Sequence, residues 1–184
     1  MIELLDIITS DGFPTGNSEL KSLIHAKGYY HNTAHVWLYT KAGEILLAQR
    51  SALKAICPLL WDVSVAGHVD AGETIKQAAI RETQEEIGLL VNEEHLEKIG
   101  VFPCFQTYDN GIQDNEFHHT FIAELVQDIS QLTPQKNEVE ELKLVRFNEF
   151  ENLLHHSETN NHFIKSNFNY YVFVLNTIKQ KLKT

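Results

Sequence analysis

The chain has 184 residues, 43% of them hydrophobic and 22% charged, which is the composition of an ordinary globular protein and the length of one domain. A domain of this size buries roughly 70% of its unfolded surface, so a sizeable core is expected. A formal charge of −10 argues against general binding to nucleic acid or anionic membranes, since no basic stripe is present to neutralise phosphates.

From the N-terminus, residues 2–8, IELLDII, read as a strand, and DGFPTGNS after them as a turn-rich connection. A helical piece is expected over 19–26. HVWLYT (35–40), a turn at Lys41–Gly43 and EILLAQR (44–50) form a hairpin with strong β character. WDVSV (61–65) is a further strand. Thr74 and Gln77 have capping-box spacing, so a helix starts at about Ile75, and Gly88 suits its left-handed C-terminal cap. Apolar stretches at 97–108 and 116–126, separated by DNGIQD, read as a second hairpin. A short strand (142–147) and a helix (148–154) follow. Tyr170, Val174 and Ile178 recur at helical spacing ahead of terminal lysines, as in an amphipathic C-terminal helix. Helices on both sides of a mixed sheet predict an α/β/α sandwich. The expected organisation is a single domain over 1–184, with residues 1–30 as an N-terminal extension and 160–184 carrying the last helix. No apolar run approaches the roughly 20 residues of a membrane span, and Met1-Ile2-Glu3 does not begin a signal peptide. Cys57 and Cys104 make neither a disulfide framework nor a zinc spacing. They read as buried thiols in a reducing cytoplasm.

The chemistry concentrates in Gly67–Leu89, GHVDAGETIKQAAIRETQEEIGL. On a helix, Glu82, Glu85 and Glu86 fall within an arc of roughly 100°. Three carboxylates so close repel one another by roughly 0.2–0.5 kcal/mol per pair. Ala78 and Ala79 leave the space beside them unfilled, and Arg81 lies four residues before Glu85. Mg²⁺ takes a few carboxylates together with substrate phosphates; three glutamates alone still read first as a solvated acidic face, and it is their spacing with the neighbouring residues that turns the reading to metal. The spacing G-x5-E-x7-R-E-x-x-E-E-x-G fixes Gly67, Glu73, Arg81, Glu82, Glu85, Glu86 and Gly88. By average residue usage a chance match is on the order of 10⁻⁸ per window.

These residues resemble the Nudix box, G-x5-E-x7-R-E-U-x-E-E-x-G-U, where U is a bulky aliphatic residue. Thr83 stands where the first U belongs, which keeps a β-branched shape but predicts weaker packing of the helix on its sheet. HNTAHVW (31–37), GEILLAQRS (43–51) and WDVSVAGH (61–68) are similar to the branch nearest type I isopentenyl diphosphate isomerase. The resemblance implies a Nudix-type α/β/α sandwich and metal-dependent hydrolysis of a diphosphate linkage, in a nucleoside diphosphate linked to X or another organic diphosphate. It implies Mg²⁺, with Mn²⁺ as an alternative, on Glu82, Glu85 and Glu86, and on the carbonyl of Gly67. Arg81 would orient Glu82 or Glu85, with Glu73 as a supporting partner. The general base is open among Glu82, Glu85 and a distal glutamate, for which Glu116 is the candidate. In the isomerase relatives, histidines at the positions of His31 and His68 help bind a second metal, and His118 stands about where they carry a second acid.

Arg50 and Lys54 are candidates to hold substrate phosphates. Phe102, Phe105, Tyr108 and Phe117 are candidates to stack on a base or prenyl group, although aromatics at strand spacing are commonly core. His155, His156 and His162 read as surface residues. The partner is thus a small diphosphate, with neither nucleic acid nor membrane involved. A homodimer stays open, since dimers are common in the family. Two alternatives belong to other classes. An isomerase would need a cysteine ahead of the box histidine, where Val65-Ala66-Gly67 stands, and a sensor would be expected to lose box carboxylates, all of which are present.

Overall fold

A computed structural model describes residues 3–183; Met1, Ile2 and Thr184, at the ends of the expected domain and strand, lie outside the described residues. The first strand is β1 (Leu4–Ile8). The stretch read as a connection instead forms β2 (Pro14–Leu20), antiparallel to β1. Pro14 at its first position and Gly16 at φ 79° hide a strand from sequence patterning, and both are features that sheets tolerate at an edge. Helix α1 (Lys21–Lys27) ends on Gly28, whose φ of 64° is the left-handed cap. Strand β3 (Tyr30–Thr40) begins five residues ahead of the expected start and pairs at its end with β4 (Glu44–Arg50).

WDVSV is not one strand but two, β5 (Trp61–Asp62) and β6 (Val65–His68). The break is made by side chains that take over ladder bonds. Ser64 Oγ donates to the Leu46 carbonyl (2.6 Å) and accepts from Leu38 N–H (2.9 Å), while Asp62 Oδ1 accepts from Val63 N–H. Helix α2 (Ile75–Ile87) has both bonds of the capping box and a left-handed Gly88. Strands β7 (Glu97–Thr107), β8 (Gln113–Glu124) and β9 (Val139–Arg146) follow, then helices α3 (Phe147–His155), α4 (Ser157–Asn160) and α5 (Phe168–Lys181).

Strand β3 is the hub. Along one edge it runs parallel to β8, and along the other it meets β1 at Tyr30, β6 over Thr33–Val36 and β4 at Tyr39–Thr40. Its side chains alternate between two layers. Ala34, Val36 and Leu38 pack with Ala78, Ala79 and Ile87 of α2, whereas Trp37 and Tyr39 pack with Phe150 of α3 and Tyr171, Val174 and Ile178 of α5. The result is an α/β/α sandwich around a mixed sheet. The room beside Ala78 and Ala79 is filled by the sheet, so those alanines admit close packing and leave no space for a ligand. Thr83 is fully buried, and its hydroxyl donates to the Ala79 carbonyl at 2.6 Å, so it enters the layer with no unpaired group.

Candidate active site

The loop from β6 into α2 places Arg81 at the centre of an acidic cluster. Its Nε and Nη2 reach Glu73 at 3.0 and 2.8 Å, Nη2 also donates to the His68 carbonyl, and Nη1 reaches Glu82 at 2.7 Å and Glu85 at 3.2 Å. These five bonds use the whole donor set of a guanidinium. The three helix carboxylates then differ in depth. Glu85 is half exposed; Glu82 is largely buried, and burial raises its pKa against the pull of Arg81. Glu86 is buried against Ala66 N–H (3.3 Å); burial and the charge of Glu82 push its pKa up to about 8. A Cβ on Gly67 would sit 2.0 Å from Glu82 Cδ. Glycine there is therefore a packing requirement, because the carboxylate of Glu82 lies in the space a side chain would fill.

Opposite this helix, the parallel register of β3 with β8 sets His31 beside Glu116. Ring nitrogens of His25, His31 and His68 lie within 4.8 Å of one another. His31 Nδ1 is held by the Tyr29 carbonyl (3.1 Å), and His68 Nδ1 lies 3.3 Å from Glu3. Their Nε2 atoms are 3.4 and 3.7 Å from Glu116 Oε1, yet buried without a hydrogen bond, as is His25 Nδ1 at 2.7 Å from Asp114. Buried nitrogens that converge on carboxylates without bonding geometry are a donor set suited to a divalent ion. Burial alone would raise the Glu116 pKa, but His118 and His31 outweigh it and hold the carboxyl well below its usual range. Burial likewise opposes charge on His118, whose pKa Cys104 and Glu116 nonetheless raise to about 10.

Sequence reasoning passed over His25 and Asp114. The local signals were the H-x5-H spacing of His25 and His31 around Gly28 and the D-x-E spacing of Asp114 and Glu116 at the start of β8. The acid beside Glu116 in this cluster is Asp114, where His118 had been placed; His118 instead bonds Glu116 itself at 2.8 Å.

A cavity of about 390 Å³ opens beside the histidines, with Gly67, Glu116, Lys21, Arg50 and Lys54 in its walls. Glu86 faces a small adjoining recess with Arg50, Lys54 and Glu138, while Arg81 and Glu85 lie with Glu73 on a separate open face. The Arg50 fork is largely occupied: Nε and Nη2 donate to the carbonyls of Ile56 and Cys57. It braces a loop in which Cys57 (φ 47°) and Leu59 (φ 61°) are left-handed, a conformation that needs such support in non-glycine residues. Lys54 is paired with Glu138. Of the four aromatic candidates, only Tyr108 lines the cavity; Phe102 packs on Tyr170 and Phe173, and Phe105 and Phe117 pack on each other and on Tyr30. Cys57 and Cys104 are half-buried cavity residues and not core thiols. His155 and His156 are exposed, whereas His162 is half-buried and stacked on Trp61.

Among the described residues no helix is long and apolar enough to cross a membrane. Comparison with known proteins places this geometry. The NUDIX domain family matches residues 29–166. Nudix hydrolase 3 of Arabidopsis thaliana is 37% identical over 157 residues, 83% of this chain but 20% of that protein, so the chain spans about a fifth of that relative. An uncharacterized Nudix hydrolase of Clostridium acetobutylicum is 32% identical over 83% of this chain and 74% of its own, and an Escherichia coli isopentenyl-diphosphate Δ-isomerase is 30% identical over 64% of each. In fold, the crystal structure of a Deinococcus radiodurans protein superimposes with a TM-score of 0.70 at 17% identity, covering 92% of this chain and 97% of that one. With the box residues, the sandwich and these matches in agreement, the chain belongs to the Nudix hydrolase family.

Proposed function

We propose that this chain hydrolyses a diphosphate linkage in a small organic diphosphate with the help of divalent cations. The observation that carries the reading is the intact box acting as one unit: Arg81 saturated by Glu73, Glu82 and Glu85, with Glu82 seated against Gly67. Glu82, Glu85 and Glu86, with the Gly67 carbonyl, would hold Mg²⁺ or Mn²⁺; His25, His31, His68, Asp114 and Glu116 would hold a further ion. Such ions supply neutralisation of phosphate oxygens and acidification of an attacking water. The chain's own residues position the substrate. Lys21, Arg50 and Lys54 give the cavity its cationic side. Glu116, buried and ionised, is a proton acceptor facing that space, with Glu82 and Glu85 as the alternative base.

Relatives support the substrate class only broadly. A Francisella tularensis bifunctional NMN adenylyltransferase/ADP-ribose pyrophosphatase, solved with AMP and a Mn ion, shares the fold at a TM-score of 0.58 and 17% identity. An isomerase reading is favoured by one observation, the Cys104 thiol in the cavity, and opposed by the complete set of box carboxylates. The test is a panel of nucleotides, dinucleotides, nucleotide sugars and isoprenoid diphosphates, with Mg²⁺, with Mn²⁺ and with chelator. Metal-dependent release of phosphate or pyrophosphate is expected for one class. Conversion of an isoprenoid diphosphate without phosphate release would favour the isomerase, and silence throughout would sink both.

A further inference from the structure

Next to the three-histidine cluster lies a second group of donors that the hydrolytic reading does not use. His35 Nδ1, Trp37 Nε1 and Thr120 Oγ1 all meet the Tyr170 hydroxyl, at 3.0, 2.8 and 3.1 Å. Their protons can be assigned by elimination. An indole N–H only donates, so Tyr170 accepts from Trp37. The one arrangement that satisfies all four contacts at once has Thr120 giving its proton to the His118 carbonyl (3.2 Å) and accepting from Tyr170. Tyr170 has then used its only proton, and a hydroxyl offers two lone pairs, so it accepts from His35 as well. In that arrangement His35 is the Nδ1–H tautomer, with an unprotonated Nε2 left for the cavity that His35 lines.

One ring nitrogen of His35, one of His118 and a Glu116 carboxylate oxygen lie within 4.8 Å of one another. The two imidazoles stack at 4.0 Å. The carboxylate of Glu116 is divided between the clusters: Oε2 meets His118 Nε2 at 2.8 Å, and Oε1 faces His31 and His68. A structural ion pair would need only His118 and would give no reason for Tyr170 to hold His35 in the tautomer that presents a lone pair.

We propose that His35, His118 and Glu116 form a second transition-metal site, bridged by the Glu116 carboxylate to the site made by His25, His31 and His68. Two imidazoles and a carboxylate suit Mn²⁺, Fe²⁺, Co²⁺ or Zn²⁺ better than Mg²⁺. The bond from Tyr170 to His35 Nδ1 then acts as the outer-shell contact that fixes a ligating imidazole. On loading, the His118–Glu116 hydrogen bond is replaced by two bonds to the ion, and the Nε2 proton of His118 leaves to solvent.

The inference rests on the three-histidine site of the proposed function, but its test reads ion count and spin coupling, so inactivity on the diphosphate panel leaves it intact. The full chain carrying Glu82→Gln, Glu85→Gln and Glu86→Gln is stripped with chelator and titrated with Mn²⁺. Two ions per chain and an exchange-coupled electron paramagnetic resonance spectrum are expected. His118→Gln, which keeps a donor to Glu116, should bind one ion with an isolated six-line spectrum, and so should His31→Gln. Saturation at one ion before any histidine is changed, or two coupled ions retained in His118→Gln, would overturn the proposal. Should the histidine variants fail to fold, the ion count of the carboxylate variant decides alone.

Discussion

Glu86→Gln should stabilise the metal-free protein at alkaline pH, an unusual result for a metal-ligand candidate. The Glu86 carboxyl is buried, and its pKa is pushed up from 4.5 to about 8 by burial and then by the charge of Glu82. A folded pKa above the unfolded one means that the native state holds a proton which the unfolded chain has released. Between pH 4.5 and about 8, then, stability falls as pH rises. Below pH 4.5 the penalty is absent, and above 8 it is complete. At about 1.4 kcal/mol per pKa unit the ceiling is ~5 kcal/mol, and relaxation around a buried charge brings the expected penalty to ~2–3 kcal/mol. Glutamine removes it while its Oε1 still accepts from Ala66 N–H. At pH 8.5 with chelator, the melting temperature of the variant should exceed that of the parent by roughly 5–10 °C. The gap should close below pH 4.5, and Mg²⁺ should raise only the parent. Equal stability at pH 8.5, or a gap independent of pH, would refute the reasoning that Glu86 is kept buried as a ligand waiting for a cation.

Other consequences concern the site's parts. Replacing Glu85 and Glu86 together by glutamine should abolish Mg²⁺-dependent turnover of whichever diphosphate the panel identifies, with circular dichroism unchanged. Glu116→Gln should lower kcat by about 10²–10⁴; a change under a few-fold would return the base to α2. Gly67→Ala brings a Cβ to 2.0 Å from Glu82 Cδ, so denaturation should show a loss of about 1–3 kcal/mol and turnover a fall of ~100-fold from the misplaced carboxylate. Tyr170→Phe leaves Trp37 and His35 without their buried acceptor; it should cost ~2 kcal/mol or more and shift the Trp37 fluorescence.

What the sequence displays is what short-range geometry encodes. The β3–β4 turn, the capped α2 and the amphipathic α5 are written in residues a few positions apart, and the seven box identities carry their own spacing. Strand β2 escaped because proline and glycine break its pattern and its side chains are exposed, leaving no alternation to detect. The histidine site escaped for a different reason. It depends on a parallel pairing of β3 with β8, and parallel strands have no connecting turn that announces register. Glu116 stood out only as a charge after a turn, His25 was marked by nothing nearer than His31 six residues on, and Asp114 by nothing but its place two residues before Glu116. Arg50 was legible as a cation but not as the brace of a left-handed loop, since that role depends on the φ of Cys57 and Leu59.

The charge of the whole chain and the pairing of its cavity cations lead to one conclusion. A diphosphate brings several negative charges to a protein whose formal charge is −10. Three cationic side chains face the cavity, and each already has acidic company: Lys21 with Glu3 at 2.9 Å, Lys54 with Glu138, and Arg50 with Asp62 at 3.8 Å as well as its two carbonyls. Drawing Lys21 or Lys54 onto a phosphate would strand Glu3 beside His68 or Glu138 near Glu86, adding negative charge where the substrate arrives. Side chains alone therefore redistribute charge in this site without supplying any. The acids of α2 and the carboxylates among the histidines would raise the same difficulty if left bare. Together they make sense as halves of cation sites, so the electrostatic balance of the cavity supports the proposed divalent-ion dependence independently of the box.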